Sequence, residues 1–284
     1  MNGAKAAPNT SGELRQRVIS ALVLIVIVVA ATWFGGRAFR IVWIAAAIVA
    51  LHEWLTVSSS ARVPAMRIAV WAAFAAVAAS VLFPSLTLWT GLSADRASLA
   101  ILAVAAIGFG LAEAGIDKRL WATAGLIYAL SPAIAISSLR DGAAGLLVVL
   151  FLYAAVWATD ILAYVTGRAL KGPELAPKIS PGKTWSGALG GIVGAIAATA
   201  ILAAFAPGLS LPAALITATG LSVISQAGDL GESAFKRHFG VKDSGKLIPG
   251  HGGILDRIDA LVATAVALHL LSLATGGLPP GFGL

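Results

Sequence analysis

Long apolar stretches, separated by short polar ones, occupy almost the whole chain. They are rich in Ala, Val, Leu and Ile and do not alternate residue by residue, so they predict helices and not the strands of a lipid-facing barrel. A helix that crosses the hydrocarbon core needs roughly 20 mostly apolar residues. Segments at about 17–34, 38–56, 65–83, 97–113, 120–139, 143–166, 186–206, 211–228 and 257–274 meet that requirement. The expected fold is all-α: a polytopic integral membrane protein of about nine transmembrane helices. The first run is long and lacks a small-residue cleavage site, so it is read as a retained helix.

Composition agrees. Apolar residues make up 58% of the 284, and charged residues only 12%, against about 25% in soluble domains. There is no cysteine, which excludes disulfides, thiolate zinc sites and a cysteine nucleophile. Histidine is limited to His52, His238, His251 and His269. Any metal site must therefore lean on carboxylates, which suit hard ions such as magnesium.

The net charge of +7 sharpens the topology and does not point to nucleic acid. Basic residues favour cytoplasmic loops. With the N-terminus inside, only Arg37, Arg40, Arg96 and Arg140 fall on the far side. The rest of the 20 bases, from Lys5, Arg15 and Arg17 to Lys118, Arg119, Lys246 and Arg257, fall inside. N-in and C-out is the expected orientation. The most polar loops, about 167–185 and 229–256, lie in the second half. Residues 1–140 read as a transmembrane scaffold and 141–284 as the catalytic region. No internal repeat of the inverted-transporter kind is evident.

The segment from Gln226 to Ala260 holds five acids, five bases and two histidines between apolar runs. A solvated loop is the plain alternative. Against it, Asp229 and Glu232 are three apart at the end of one run, so they share a face if that helix continues, and Asp256 and Asp259 are three apart at the start of the next. Pro249, Gly250, Gly252 and Gly253 around His251 allow close backbone approach to a ligand. Carboxylates on two helices with bases nearby suit a magnesium–polyphosphate site.

The second polar segment, Pro177 to Gly187, contains Gly182-Lys183-Thr184. A P-loop would need glycine at Pro177 and a strand before it, and neither is expected. What remains is a basic, hydroxyl-rich turn at a helix N-terminus, where free N–H groups favour phosphate. Lys178, Ser180, Lys183 and Thr184 are candidate phosphate binders; capping by Ser180 or Thr184 is the alternative. Gly187, Gly190, Gly191 and Gly194 predict close helix packing. Asp160, inside an apolar run, is a site candidate because buried membrane acids are costly. Glu53, His52 and Glu113 read as interfacial, and His269 as a packed, hydrogen-bonded histidine.

The stretch Ser233 to Asp259, SAFKRHFGVKDSGKLIPGHGGILDRID, closely resembles the signature of phosphatidate cytidylyltransferases, the CDP-diacylglycerol synthases: S-x-x-K-R, then K-D, H-G-G and D-R-x-D. Ser233, Lys236, Arg237, Lys242, Asp243, His251, Gly252, Gly253, Asp256, Arg257 and Asp259 fill every fixed position. GDLGES, SPGKTWSG, and Asp160 with Tyr164 and Gly167 also resemble family segments, so the resemblance spans about 155–270. The chain departs at Ser186, where the family commonly carries glutamate.

The resemblance implies that CTP and phosphatidic acid give CDP-diacylglycerol and pyrophosphate with magnesium, and a second cation is an open option. It assigns Asp229, Asp256 and Asp259 to the metal, with Asp256 the foremost. Lys183, Lys236, Arg237 and Arg257 hold phosphates. His251 with Gly252 and Gly253 shapes the nucleotide loop, and Asp160 supports. Ser233, Lys242 and Asp243 line the substrate. Partners are CTP, phosphatidic acid and membrane lipid; a homodimer is compatible with such a chain. Short loops point to a bacterial inner membrane with the active site facing the cytoplasm. The nearest rival is a CTP-dependent lipid kinase releasing CDP. A CDP-alcohol phosphotransferase fails because Asp141-Gly142 is not followed by x-x-Ala-Arg. An ion-path transporter through Asp160, Asp229 and Asp256 leaves the bases and the His-Gly-Gly turn without a role.

Overall fold

A computed structural model describes residues 10–60, 62–116, 120–206, 208–245, 247–248, 252–276, 279 and 281–282. Lys5, Lys118, Arg119, Lys246, Pro249, Gly250 and His251 lie outside the described residues. Among those described there are nine α-helices: α1 (Thr10–Phe34), α2 (Gly36–Ser58), α3 (Pro64–Leu82), α4 (Ala94–Ile116), α5 (Trp121–Asp141), α6 (Gly145–Leu170), α7 (Trp185–Ala204), α8 (Leu211–His238) and α9 (Leu255–Ala274). A 3₁₀ helix, Pro84–Thr90, joins α3 to α4, and an antiparallel hairpin of β1 (Glu174–Ala176) and β2 (Ser180–Thr184) joins α6 to α7.

Eight helices, α2 to α9, are long and apolar enough to cross a membrane; the apolar part of α1, Val18–Phe34, is shorter. The chain is an all-α polytopic membrane protein. Apolar side chains such as Val26, Val104, Leu111, Ile161, Val193 and Ile216 stay exposed on the outside of the bundle. That is costly in water and neutral against lipid tails.

The helix ends follow local chemistry. Gly35 and Gly36 take positive φ (65° and 54°), letting α1 turn straight into α2. A Cβ at Gly35 would also stand 2.8 Å from the guanidinium of Arg140, whose Nε donates to the Thr32 carbonyl at 2.7 Å. Pro64 opens α3, where its missing N–H costs nothing.

α5 is the centre of the bundle: 72% of its apolar window is buried, more than in any other span. Leu126, Leu130 and Ile136 of α5 pack with Leu51 of α2, Phe151 and Leu152 of α6, and Leu255 and Leu268 of α9, all fully buried.

Two boundaries differ from the expected ones in a way that matters for chemistry. The eighth span is not over at 228 but runs as helix to His238. Asp229, Glu232, Ser233 and Lys236 thus sit at i, i+3, i+4 and i+7 of one helix face, and not in a loop. The 167–185 loop is likewise the end of α6 followed by the hairpin, so a strand does run through Gly182-Lys183-Thr184. Pro177 still excludes a P-loop. Glu53 and Glu113 are not interfacial: they are 5% and 0% exposed. His269 is buried as expected but makes no hydrogen bond through Nε2, which stands 3.8 Å from Asp95.

Candidate active site

The C-terminal end of α8 and the N-terminal end of α9 are tied by one lysine. Lys236 Nζ lies 2.8 Å from Glu232 Oε2 on its own helix and 2.6 Å from Asp256 Oδ1 on α9. Glu232 is 2% exposed, so this lysine neutralises a carboxylate that would be costly to bury alone. Asp256 takes further donors from the signature loop: Ser244 N at 3.1 Å, Ser244 Oγ at 3.0 Å and Gly253 N at 2.8 Å. Gly252 turns the chain there at φ +82°, and a Cβ on it would stand 2.8 Å from Asp256 Oδ2.

The hairpin closes the site from the other side. Lys183 of β2 pairs with Asp229 of α8, and Arg237 Nε donates to the Ile179 carbonyl at 3.3 Å. Thr184 is the N-cap of α7, accepting from Gly187 N at 3.1 Å. The hydroxyl expected to bind phosphate is thus used within the fold. Ser186 donates to the Lys171 carbonyl, which holds the end of α6 against the start of α7. The glycines of α7 do pack closely. A Cβ at Gly190 would be 1.9 Å from Thr166 Oγ1, and one at Gly194 2.5 Å from the Ala158 carbonyl, both on α6. That packing sets Asp160 of α6 close enough to Asp229 and Lys183 to act on their charge.

Three acids remain with little to satisfy them. Asp160 has no hydrogen bond or ion pair to another described residue and is exposed on α6. Among the described residues, Asp259 accepts only from the neighbouring Ala260 N, at 2.8 Å. Asp229 has Lys183 and a long 3.5 Å contact from Ser233 Oγ. Asp160, Asp229 and Asp259 lie within electrostatic reach of one another. An all-oxygen, excess-negative donor set from three helices fits a hard divalent cation. Among the described residues no three such side chains already converge on one point. Of the expected ligands Asp229, Asp256 and Asp259, Asp256 is turned to Lys236 and to the loop, where protein donors meet its oxygens.

The other expected residues divide simply. Lys178, Lys242, Asp243 and Arg257 are exposed at this end of the bundle, and Ser180 and Ser233 are half-buried beside them. Glu232, singled out in the sequence with Asp229 but given no role of its own, is held by Lys236 at i,i+4. Two participants were missed, Ser244 and Glu53, and neither carries such a sign. Glu53, on α2, accepts from Ser244 Oγ at 3.1 Å, Ile254 N at 3.0 Å and Leu255 N at 2.9 Å. Next to it, Trp54 stacks on Phe235 of α8 with ring centroids 3.8 Å apart.

A model of the cytidylyltransferase family matches residues 15–274. Among curated relatives, a phosphatidate cytidylyltransferase of Brucella abortus is 42% identical over 263 residues, covering 90% of this chain and 92% of its own. One of Haemophilus influenzae is 36% identical over 281 residues, covering 88% and 95%. One of Staphylococcus saprophyticus is 44% identical over 128 residues, about half of each chain.

Proposed function

The chain belongs to the cytidylyltransferase family, and on that premise we propose that the polar ends of α6 to α9 are where it joins CTP to phosphatidic acid. It is a nucleotidyltransferase embedded in the membrane, and its reaction gives CDP-diacylglycerol and pyrophosphate. A phosphate oxygen of the lipid attacks the α-phosphorus of CTP, and the bond to the β-phosphate breaks as pyrophosphate leaves. That oxygen is already ionised at neutral pH, so no strong base is required. The work is to bring two polyanions together in line.

The observation that carries this reading is the meeting of Lys183 with Asp229 and of Lys236 with Asp256, from separate elements, at one end of the bundle. Lys183, Lys236, Arg237 and Arg257, with Lys178 and Lys242 at the rim, hold phosphate oxygens. Gly252 and Gly253, with His251, shape the nucleotide loop. Asp160, Asp229 and Asp259 hold magnesium, which when bound offsets the charge of the polyphosphate. Asp256 keeps Lys236 aimed. The orientation is N-in and C-out in a bacterial inner membrane, with this end cytoplasmic.

Purified protein given labelled CTP and phosphatidic acid, with and without magnesium, tests the reading. Labelled lipid and pyrophosphate appear in equal amounts, and only with the metal. Release of CDP makes the enzyme a kinase, and Asp229→Asn at full activity removes the metal assignment. Because the chain has no cysteine, a single Lys178→Cys variant reports sidedness. Labelling from the periplasm by an impermeant thiol reagent reverses the orientation.

A further inference from the structure

We propose that Glu53, on α2 and outside the signature, is a positioning residue for the reaction: through Ser244 it fixes the loop that holds Asp256, and thereby Lys236. The proposal rests on the reading of the α8–α9 end as the transfer site.

Glu53 is 5% exposed, deep among apolar helices, where an unpaired carboxylate is expensive. Its partners are the Ile254 and Leu255 amides, which open α9, and the Ser244 hydroxyl. All three lie about 190 to 200 residues away along the chain, inside the signature region. Ser244 Oγ stands 3.1 Å from Glu53 Oε2 and 3.0 Å from Asp256 Oδ2. It has one proton, so it is shared between the two carboxylates and couples their positions. Asp256 Oδ1 then meets Lys236 at 2.6 Å. The series Glu53–Ser244–Asp256–Lys236 runs unbroken from α2 to a base that faces the substrate.

The glycines of the loop fit this role. A Cβ at Gly245 would stand 2.5 Å from Glu53 Oε1, and one at Gly253 2.4 Å from Glu53 Oε2 and 2.2 Å from Ser244 Oγ. The carboxylate fills the room those two residues leave. A glutamine in its place has one acceptor oxygen where Glu53 has two, so an NH₂ group must face an N–H or hydroxyl donor. The loop then shifts while the bundle stays closed.

Full-length protein is assayed for kcat and KM with CTP and phosphatidic acid, well below its unfolding temperature. Glu53→Gln lowers kcat about tenfold to a hundredfold, the scale of a misplaced catalytic group, with KM for CTP changing much less. Glu113→Gln, a buried glutamate that also receives a helix N-terminus, lowers the midpoint of thermal inactivation and leaves kcat within about twofold. The double variant Glu53→Gln/Ser244→Ala is no slower than the slower single variant by more than about twofold, since both act on one linkage. A Glu53→Gln enzyme with wild-type kcat, or additive effects in the double variant, overturns the proposal. If Glu53→Gln fails to fold, Ser244→Ala alone decides: kcat falls if the linkage acts, and an unchanged kcat sinks it. Wild-type protein that makes no labelled lipid would instead defeat the functional reading, so the two failures are distinct.

Discussion

Two junctions in this protein are built with the same parts and used differently. At the α4–α5 junction, Glu113 takes the Ala122 and Thr123 amides at 2.8 Å each and the Thr123 hydroxyl at 2.7 Å. At the α2–α9 junction, Glu53 takes two opening amides of α9 and the Ser244 hydroxyl. Each is a buried glutamate from one helix closing the N-terminus of another, satisfying orphan N–H groups that lipid cannot. The difference lies in the hydroxyl. Thr123 belongs to the helix being capped, so that cap ends on itself. Ser244 belongs to the signature loop and passes the contact to Asp256. One junction is closed and purely structural; the other is open towards the site.

The sharpest way to break the comparison is to cut the open junction at its charged link. Lys236→Met leaves Glu232 and Asp256 buried without a cation. Removing one partner of such a pair costs about 3–5 kcal/mol, and the base proposed to hold phosphate goes with it. Product formation is expected to disappear, and the protein to unfold at a lower temperature in detergent. An active Lys236→Met enzyme would mean that the linkage ends nowhere near the chemistry.

Glu113→Ala removes the acceptor at the closed junction. Two amides and a hydroxyl lose their partner, and each buried group left unsatisfied costs about 1–3 kcal/mol. Thermal stability falls, while the kcat of the folded fraction stays at the wild-type level. A selective loss of kcat here would erase the distinction between the two junctions. Thr123→Val is a smaller cut at the same place. It deletes one hydrogen bond at similar volume and is expected to cost about 1 kcal/mol, read as a modest drop in melting temperature with unchanged KM.

The same contrast explains how much was legible in the sequence. The apolar runs gave nearly every helix, because lipid demands long, fully hydrogen-bonded spans. The signature gave Lys236, Asp256 and Asp259. The glycines of α7 announced close packing, and α6 does lie against them. The end of α8 was misplaced at 228, because a polar run after an apolar one reads as loop. It stays helical since Asp229 and Lys236 find charged partners on β2 and α9, and Glu232 finds one in Lys236, one turn along α8. Glu53 was read as interfacial because its partners lie about 200 residues on, and nothing within a helical window of Glu53 shows them. At the same distance, α2 and α5 meet the signature region through Glu53, Trp54 and Trp121, whose carbonyl accepts from Trp54 Nε1 at 2.8 Å.

The smallest effect is expected at the opposite end of the bundle. Arg40 pairs there with Asp141, whose side chain is 42% exposed. A pair in contact with water gains little: its Coulomb energy is screened and two long side chains must be held still. Arg40→Ala should therefore cost about 0–1 kcal/mol, with kcat and KM unchanged, since none of the polar series from Glu53 to Lys236 reaches this end. The neighbouring Arg140 is the counter-test, because its half-buried guanidinium donates to the Thr32 and Trp33 carbonyls and lies against Gly35. Its loss should exceed that of Arg40 in stability while still sparing kcat. If Arg40→Ala instead slows product formation, the two ends of the bundle are coupled, and the site is not confined to the face where α2 meets α9.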